Sequence, residues 1–167
     1  MKQVLWDNFF MASEVKSTLA FLKNIPLFDA LKTSELVRLE RNLHLRRFKK
    51  GEIVFSEGDP GAALYIIQEG EIGIYKNYNT NHQLQLTALE TQTFFGELAL
   101  FDESPRSATT VALKETRLLA LSKEDLSQFS QKNPLSGFKI SMRLGEILSQ
   151  RLRVANAQIE ELQHYEH

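Results

Sequence analysis

The central part of the chain, from Leu43 to Ser122, consists of short apolar runs separated by Gly, Asn and Pro. Many short runs at near-regular spacing are typical of an antiparallel barrel or sandwich. No alternation of strand and helix patterns occurs here, so a doubly wound parallel sheet is not expected. The predicted strands are Leu43–Phe48, Ile53–Phe55, Ala63–Gln68, Glu71–Tyr75, Gln83–Leu89, Ser107–Ala112 and Thr116–Leu121.

Glycine, aspartate and proline mark the joins between these runs. Gly51, Gly58-Asp59-Pro60 and Gly70 lie where a turn requires a positive φ or a fixed one. The polar stretch Asn77–His82 separates two of the runs and predicts a hairpin loop. The turns therefore support the division into short strands.

The part of the chain before about residue 42 has the three- and four-residue apolar spacing of helices. Thr33 or Ser34 is expected to cap a helix over Glu35–Arg41 by accepting a hydrogen bond from a free backbone N–H. An aromatic segment near the start, with Trp6 and Phe9 at its centre, has two interpretations. It packs on the rest of the domain, or it offers an apolar face to a partner protein.

A helical pattern returns after Ser122, which is placed to cap a helix over Lys123–Ser130. Pro134 then opens a long helix from Leu135 to about Tyr165. Its apolar stripe repeats at alternating spacings of four and three, as in a coiled coil. The stripe consists of Leu148, Leu152, Ala155, Ile159 and Leu162. It packs either on the chain's own sheets or on a second copy, and self-association is favoured because the stripe continues past the end of a small barrel.

Composition excludes several classes of protein. The chain of 167 residues has no cysteine, which excludes disulfides, thiolate metal sites and cysteine nucleophiles. Its 20 Lys and Arg residues nearly balance 21 Asp and Glu residues, so no strong overall field attracts nucleic acid or an anionic membrane. No apolar run approaches the roughly 20 residues that span a bilayer, and no secretion leader is recognisable. A soluble, cytoplasmic protein is the expectation.

The segment Phe94–Ala112 carries the residues with binding chemistry. Gly96 precedes a Glu-Leu-Ala-Leu run that suits a short helix, and free N–H groups at a helix start attract anions. Arg106 offers a rigid fork of donors for phosphate, and Ser107 adds a hydroxyl. Beside an anion, Glu97 is better placed to accept sugar hydroxyls. Singly these are an ordinary cap and a surface ion pair, but together they predict a sugar-phosphate receptor.

This block resembles the phosphate-binding cassette of the cyclic nucleotide-binding domain family. The pattern of that family is F-G-E-[LI]-A-L, a few variable residues and P-R-[TSA]-A-T. Here Phe95–Leu100 and Pro105–Thr109 match it. The resemblance extends over residues from about 21 to 162. Other matching segments are Glu57-Gly58-Asp59, Leu64–Ile67 and Gly70-Glu71-Ile72.

The resemblance implies a mainly β fold with flanking helices. The expected architecture is an antiparallel β-roll of the double-stranded jelly-roll type, with N-terminal helices and a long C-terminal helix. It divides the chain into an N-terminal helical extension over 1–20, a cyclic nucleotide-binding β-roll over 21–135 and a capping or dimerisation helix over 136–167. The ligand is expected to lie between the roll and the cassette.

The resemblance also assigns roles to residues of the cassette. Glu97 is expected to bind the ribose 2′-hydroxyl, and Gly96 to permit a close backbone approach. The groups expected to bind the cyclic phosphate are Arg106, Ser107 and the backbone N–H groups near Leu98 and Ala99.

The choice of base stays open at this point. The long helix resembles the dimer helix of bacterial cyclic-AMP receptor transcription activators, in which two successive hydroxyl residues contact adenine. The corresponding positions are Ala155 and Asn156; Asn156 can bond a base edge and Ala155 cannot. Ser107 is able to reach the exocyclic amine of a syn guanine. Cyclic AMP is the favoured ligand, and cyclic GMP is the alternative.

No DNA or membrane partner is expected. The sequence ends at His167 without the helix-turn-helix of those activators, and no basic face is present. The expected partners are a cyclic nucleotide and a second copy of the chain, with a protein effector as a further candidate. No metal cluster or positioned catalytic base is recognisable, so a phosphodiesterase or other enzyme is not expected. The alternative function is a ligand-independent dimerisation or scaffold module.

Overall fold

The computed structural model describes residues 18–165, and the side chains of residues 18–161. The predictions for residues 1–17, including the aromatic segment around Trp6 and Phe9, lie outside this range, as does the side chain of Leu162. Within the described range, no helix combines the length and apolar character that crossing a membrane requires.

The strands of the described chain are short, and they run from β1 to β8 in chain order. Their bounds are His44–Phe48 (β1), Ile53–Phe55 (β2), Ala63–Glu69 (β3), Glu71–Lys76 (β4), Leu84–Glu90 (β5), Phe94–Phe95 (β6), Thr109–Ala112 (β7) and Thr116–Ser122 (β8).

Helices precede and follow the strands. The described end of the first helix, α1, covers residues 18–22. The others are a 3-10 helix over Pro26–Phe28, α2 over Thr33–Glu40, a 3-10 helix over Glu97–Leu100, α3 over Lys123–Lys132 and α4 over Pro134–Tyr165.

The strands form two antiparallel sheets of four strands each. The order is β1-β8-β3-β6 in the first sheet and β2-β7-β4-β5 in the second. Non-consecutive strands are neighbours in both sheets, so the chain crosses repeatedly between them as it does in a jelly roll. The predicted fold class, a β-roll with flanking helices and a long C-terminal helix, is confirmed.

The central strands of the first sheet, β8 and β3, are largely buried on both faces, whereas β1 at its edge is mostly exposed. Side chains alternate across a strand, so Leu64 and Ile66 of β3 pack toward the helices, while Tyr65 and Ile67 point into the roll. Two apolar cores result, one between the first sheet and the helices and a smaller one between the two sheets. The smaller core leaves room inside the roll for a cavity.

The predicted strands are confirmed with two differences. The run that begins at Ser107 becomes a strand only at Thr109, because the main chain of Arg106 is bonded to the turn at Gly58-Asp59. The additional strand β6 covers only Phe94–Phe95 and pairs with the edge of β3. Two residues are too few for an alternating pattern to reveal them.

Of the two predicted helix caps, one is confirmed and the other is wrong. Ser122 is confirmed as the cap of α3, since its Oγ accepts a hydrogen bond from Asp125 N at 3.0 Å. The prediction that Thr33 or Ser34 caps α2 is wrong, because α2 begins at Thr33. Instead the Glu35 carboxylate reaches back and accepts from Lys32 N at 2.7 Å, which satisfies a donor at the helix start.

Buried Glu35 joins α2 to the first turns of α4. Its Oε1 accepts from Ser136 Oγ at 2.8 Å, and its Oε2 pairs with Lys139 Nζ at 2.9 Å. One turn farther along α4, Arg143 donates to Pro26 O at 3.0 Å and pairs with Asp29. The first half of α4 is therefore fixed to the N-terminal helices by polar contacts as well as by packing.

The second half of α4 leaves the body of the domain. Leu148 still packs on the helical core, but Leu152 and Ile159 are 61% and 53% exposed. Of the predicted apolar stripe of α4, only Leu148 is therefore covered by other described residues of the chain.

We predict that Glu35→Gln destabilises the domain and flattens its acid response. Hydrogen bonds to Lys32 N and Lys139 lower the pKa of Glu35 from 4.5 to about 2. This stabilisation is therefore complete above about pH 4.5 and is lost as the pH falls toward 2. Urea unfolding at neutral pH should show a loss of about 1.5–3 kcal/mol, as for hydrogen bonds to charged groups.

The matched control is Glu146→Gln, an exposed carboxylate of α4 that pairs with Arg143. It should change the free energy of unfolding by under about 1 kcal/mol. Equal effects of the two substitutions would contradict a specific role for Glu35.

Candidate ligand-binding site

A cavity of about 530 Å³ lies between the inner face of the second sheet and the segment that follows β6. The sheet contributes apolar and hydroxyl side chains, and the 3-10 helix and the loop after it contribute the other wall. Six residues that were predicted from the sequence to bind the ligand line this cavity: Gly96, Glu97, Leu98, Ala99, Arg106 and Ser107. The structure thus brings together in one cavity residues from both ends of the predicted cassette.

Arg106 is the principal charged group of the cavity. Its side chain is 7% exposed, and its guanidinium lies over the Phe55 ring, 4.0 Å from the centroid. Nη1 donates to Gly96 O at 3.0 Å and Nη2 to Ala63 O at 2.8 Å. It forms no salt bridge with a carboxylate in the described part of the chain. Burial lowers the pKa of Arg106 below its usual range, and the nearby Tyr65, Asp59 and Glu97 oppose that shift.

The backbone fixes the position of Arg106. Arg106 N donates to Asp59 O at 2.8 Å, and Gly58 N donates to Arg106 O at 2.9 Å. The turn itself is held by the Asp59 carboxylate, which accepts from Ser56 N at 2.7 Å. The Gly-Asp pair between β2 and β3 therefore positions the arginine from across the roll.

Gly96 permits the close approach of the cassette to Arg106. It adopts φ +73, which side chains disfavour, and it precedes the 3-10 helix over Glu97–Leu100. A Cβ at this position would lie 2.7 Å from Arg106 Nη1 and 3.2 Å from Ala63 O. Because the helix begins at Glu97, its first N–H groups have no acceptor within the helix.

Glu97 connects the cavity to α4. The carboxylate is buried, and its Oε1 accepts from Arg151 Nη1 at 2.8 Å. Arg151 also donates to Phe94 O at 3.2 Å and lies over the Phe94 ring, 4.7 Å from the centroid. A carboxylate has about four acceptor positions, so Glu97 retains the capacity to bind a further hydroxyl.

Sequence reasoning did not identify Arg151. The available signal was its position on the helix, three residues after Leu148 and seven after Leu144, both of which face the domain. An arginine in this row is directed toward the cavity and not into solvent. It lies on α4 just before the part that leaves the body of the domain.

Asn156 is the predicted site residue that does not line the cavity. The described chain places it on the exposed part of α4, beyond Arg151. Five helical residues rise about 7.5 Å, so Asn156 lies more than one turn beyond Arg151. Its role toward a base stays a prediction. No group of His, Asp and Glu residues suited to a metal ion occurs in the described range.

Fold and site together define a β-roll domain with a cavity that is lined by two arginines, Arg106 and Arg151. Residues 45–133 match the family of the cyclic nucleotide-binding domain. This range contains the whole cassette and β2–β8. The chain therefore belongs to the cyclic nucleotide-binding domain family.

Known proteins from distant organisms are similar to this chain. The Cyclic AMP receptor protein of Thermus thermophilus is 32% identical over 139 residues, which are 83% of this chain and 62% of that protein. The cAMP-dependent protein kinase regulatory subunit of Aspergillus niger is 30% identical over 74% of this chain and 29% of the subunit. A cyclic nucleotide-binding domain from Methylobacillus flagellatus superposes with a TM-score of 0.76 at 26% identity, over 88% of this chain and 83% of that one. The chain thus spans less than two thirds of the Thermus relative.

We predict that Gly96→Ala weakens ligand binding and destabilises the domain. The new Cβ must displace Arg106 Nη1, and a left-handed backbone costs a side-chain residue about 1–2 kcal/mol. Affinity for a cyclic nucleotide should fall on the order of tenfold or more, as measured by calorimetric titration.

The control for this substitution is Gly145→Ala in α4, where an added Cβ meets no atom within 4 Å. It should leave binding unchanged and raise stability by about 0.5–1 kcal/mol, because alanine favours helix. Normal binding by Gly96→Ala would show that the close approach is not required.

Proposed function

We propose that this domain is a regulatory sensor that binds cyclic AMP in preference to cyclic GMP and transmits binding to α4. The observation that carries the proposal is the buried Arg106 guanidinium, which lines the cavity and forms no salt bridge with a carboxylate in the described chain. A buried cation is unfavourable unless it is paired, and a phosphate supplies the matching charge and geometry.

The remaining parts of a cyclic nucleotide find partners in the same cavity. Glu97 supports a contact with a ribose hydroxyl, since it is buried beside the arginine and is an acceptor. Ile74 and Leu89 of the second sheet offer an apolar surface to a purine base. The preference for cyclic AMP is supported by the Thermus and Aspergillus relatives, both of which carry it in their names.

Coupling to α4 is supported by the Arg151–Glu97 contact. A ribose hydroxyl and Arg151 would share one carboxylate, so ligand binding acts directly on a side chain of the helix. A ligand shifts a conformational equilibrium only by binding one state better than another. Competition or cooperation at Glu97 provides such a difference in affinity.

We also infer that the exposed stripe of α4 pairs with a second copy of the chain. Leu152 and Ile159 are large, apolar and uncovered by described residues, and their spacing is that of a coiled-coil seam. A protein effector on the same surface is the alternative partner. The regulatory role, as opposed to an enzymatic one, is supported by the relatives, which are named as a receptor protein and a regulatory subunit.

The test of ligand binding is calorimetric titration of nucleotide-stripped protein with cyclic AMP and then with cyclic GMP. Arg106→Ala should weaken binding by roughly tenfold to over a hundredfold, because a hydrogen bond to a charged group contributes about 1.5–3 kcal/mol. Arg46→Ala, which removes an exposed arginine of β1, is the matched control and should bind as the wild type does.

Circular dichroism must show that both variants are folded. If folded, nucleotide-free wild-type protein binds neither nucleotide, the sensor proposal is wrong and the scaffold alternative takes its place. If cyclic GMP binds more tightly than cyclic AMP, the preference stated above is wrong while the sensor role stands.

The test of self-association is the double substitution Leu152→Glu and Ile159→Glu. Light scattering should show a dimer for the wild type and a monomer for the variant, because buried glutamates destabilise an apolar seam. Val154→Glu is the control, since Val154 is also exposed but lies two residues from Leu152, on a different face of the helix. A wild-type monomer, or equal effects of both changes, would contradict the seam.

A further inference from the structure

The inner face of the second sheet presents a row of four cavity residues. Phe55 of β2 pairs with Thr110 of β7, Thr110 pairs with Ile74 of β4, and Ile74 pairs with Thr87 of β5. All four line the cavity. Neighbouring strands lie about 4.8 Å apart, so the four residues are spaced at about this interval across the cavity.

Thr110 carries a buried hydroxyl without a partner. The residue is 2% exposed, and its Oγ1 forms no hydrogen bond in the described part of the chain. By contrast the hydroxyl of the adjacent Thr109 accepts from Glu57 N at 2.9 Å. Buried hydroxyls in folded proteins nearly always have a partner, because leaving one unsatisfied costs free energy.

A second unpartnered group lines the same cavity. Arg106 uses both Nη atoms on backbone carbonyls, but its buried Nε has no acceptor in the described chain. The guanidinium lies on the ring of Phe55, which is the cross-strand neighbour of Thr110. The Nε–H donor and the hydroxyl donor therefore belong to neighbouring positions at one end of the row.

We propose that Thr110 is a ligand-binding residue, whose hydroxyl donates to the phosphate group that Arg106 binds. An anionic phosphate offers several oxygen acceptors, so one group can satisfy both orphan donors. This inference rests on the proposed function and extends the phosphate-binding set from the cassette onto β7. Thr87, two strand spacings or about 10 Å from Thr110, lies too far along the row to share that group.

The experiment compares Thr110→Val with wild type by calorimetric titration with cyclic AMP and cyclic GMP. Valine keeps the shape and removes the hydroxyl. Affinity should fall roughly tenfold to a hundredfold, as for a hydrogen bond to a charged group. The factor should be the same for both nucleotides, since they share the phosphate. Thr110→Ser should restore binding to within a few-fold.

Thr91→Val is the matched control, because Thr91 is exposed and does not line the cavity. It should not reduce the affinity for cyclic AMP by more than about twofold. Thermal unfolding without nucleotide gives a second readout. Thr110→Val should unfold at the same temperature as wild type or higher, because it removes an unsatisfied buried hydroxyl.

The possible outcomes separate the two proposals. If wild type and Thr110→Val bind cyclic nucleotide equally well, the role of Thr110 is overturned and the sensor function stands. Weaker binding together with a lowered unfolding temperature overturns it as well, since the hydroxyl is then structural. Wild type that binds neither nucleotide overturns both proposals.

Discussion

The structure depends on one buried cation. The Arg106 guanidinium is held by a carbonyl of β3, a carbonyl of the cassette and the ring of Phe55 on β2, so it connects both sheets and the loop between them. Carbonyl oxygens and a ring stabilise its position without neutralising its charge. The left-handed backbone of Gly96 and the turn at Gly58-Asp59 both support this contact, because each brings main-chain atoms close to the arginine. A buried charge without a salt bridge in the described chain supports the proposal that Arg106 binds an anion.

The long helix α4 has two parts with different roles. Its first turns are fixed through buried Glu35 and through Arg143, and they share the core of the domain. Its last turns expose an apolar stripe. Arg151 lies between these parts and reaches Glu97 in the cavity. We propose that ligand binding at the cavity acts on the free part of the helix through this contact while the anchored part stays in place.

Much of this architecture could be predicted from the sequence, because short strands, glycine turns and the cassette are local patterns. Strand β6 could not be predicted, since two residues are too few to show an alternating apolar pattern. The cap of α2 was misassigned because Glu35 acts from inside the helix. The contact of Arg151 and the proposed role of Thr110 could not be predicted, because packing between distant segments decides which side chains face the cavity. Asn156 does not line the cavity, and its contact with a base stays a prediction.

A crystal structure of the complex with cyclic AMP would show which groups bind the phosphate. We predict that the phosphate lies within hydrogen-bond distance of Arg106 and of the first N–H groups of the 3-10 helix, with a ribose hydroxyl on Glu97. A phosphate bound elsewhere, or a base against the Arg106 guanidinium, would contradict the claim that this buried charge is the receptor for the anion.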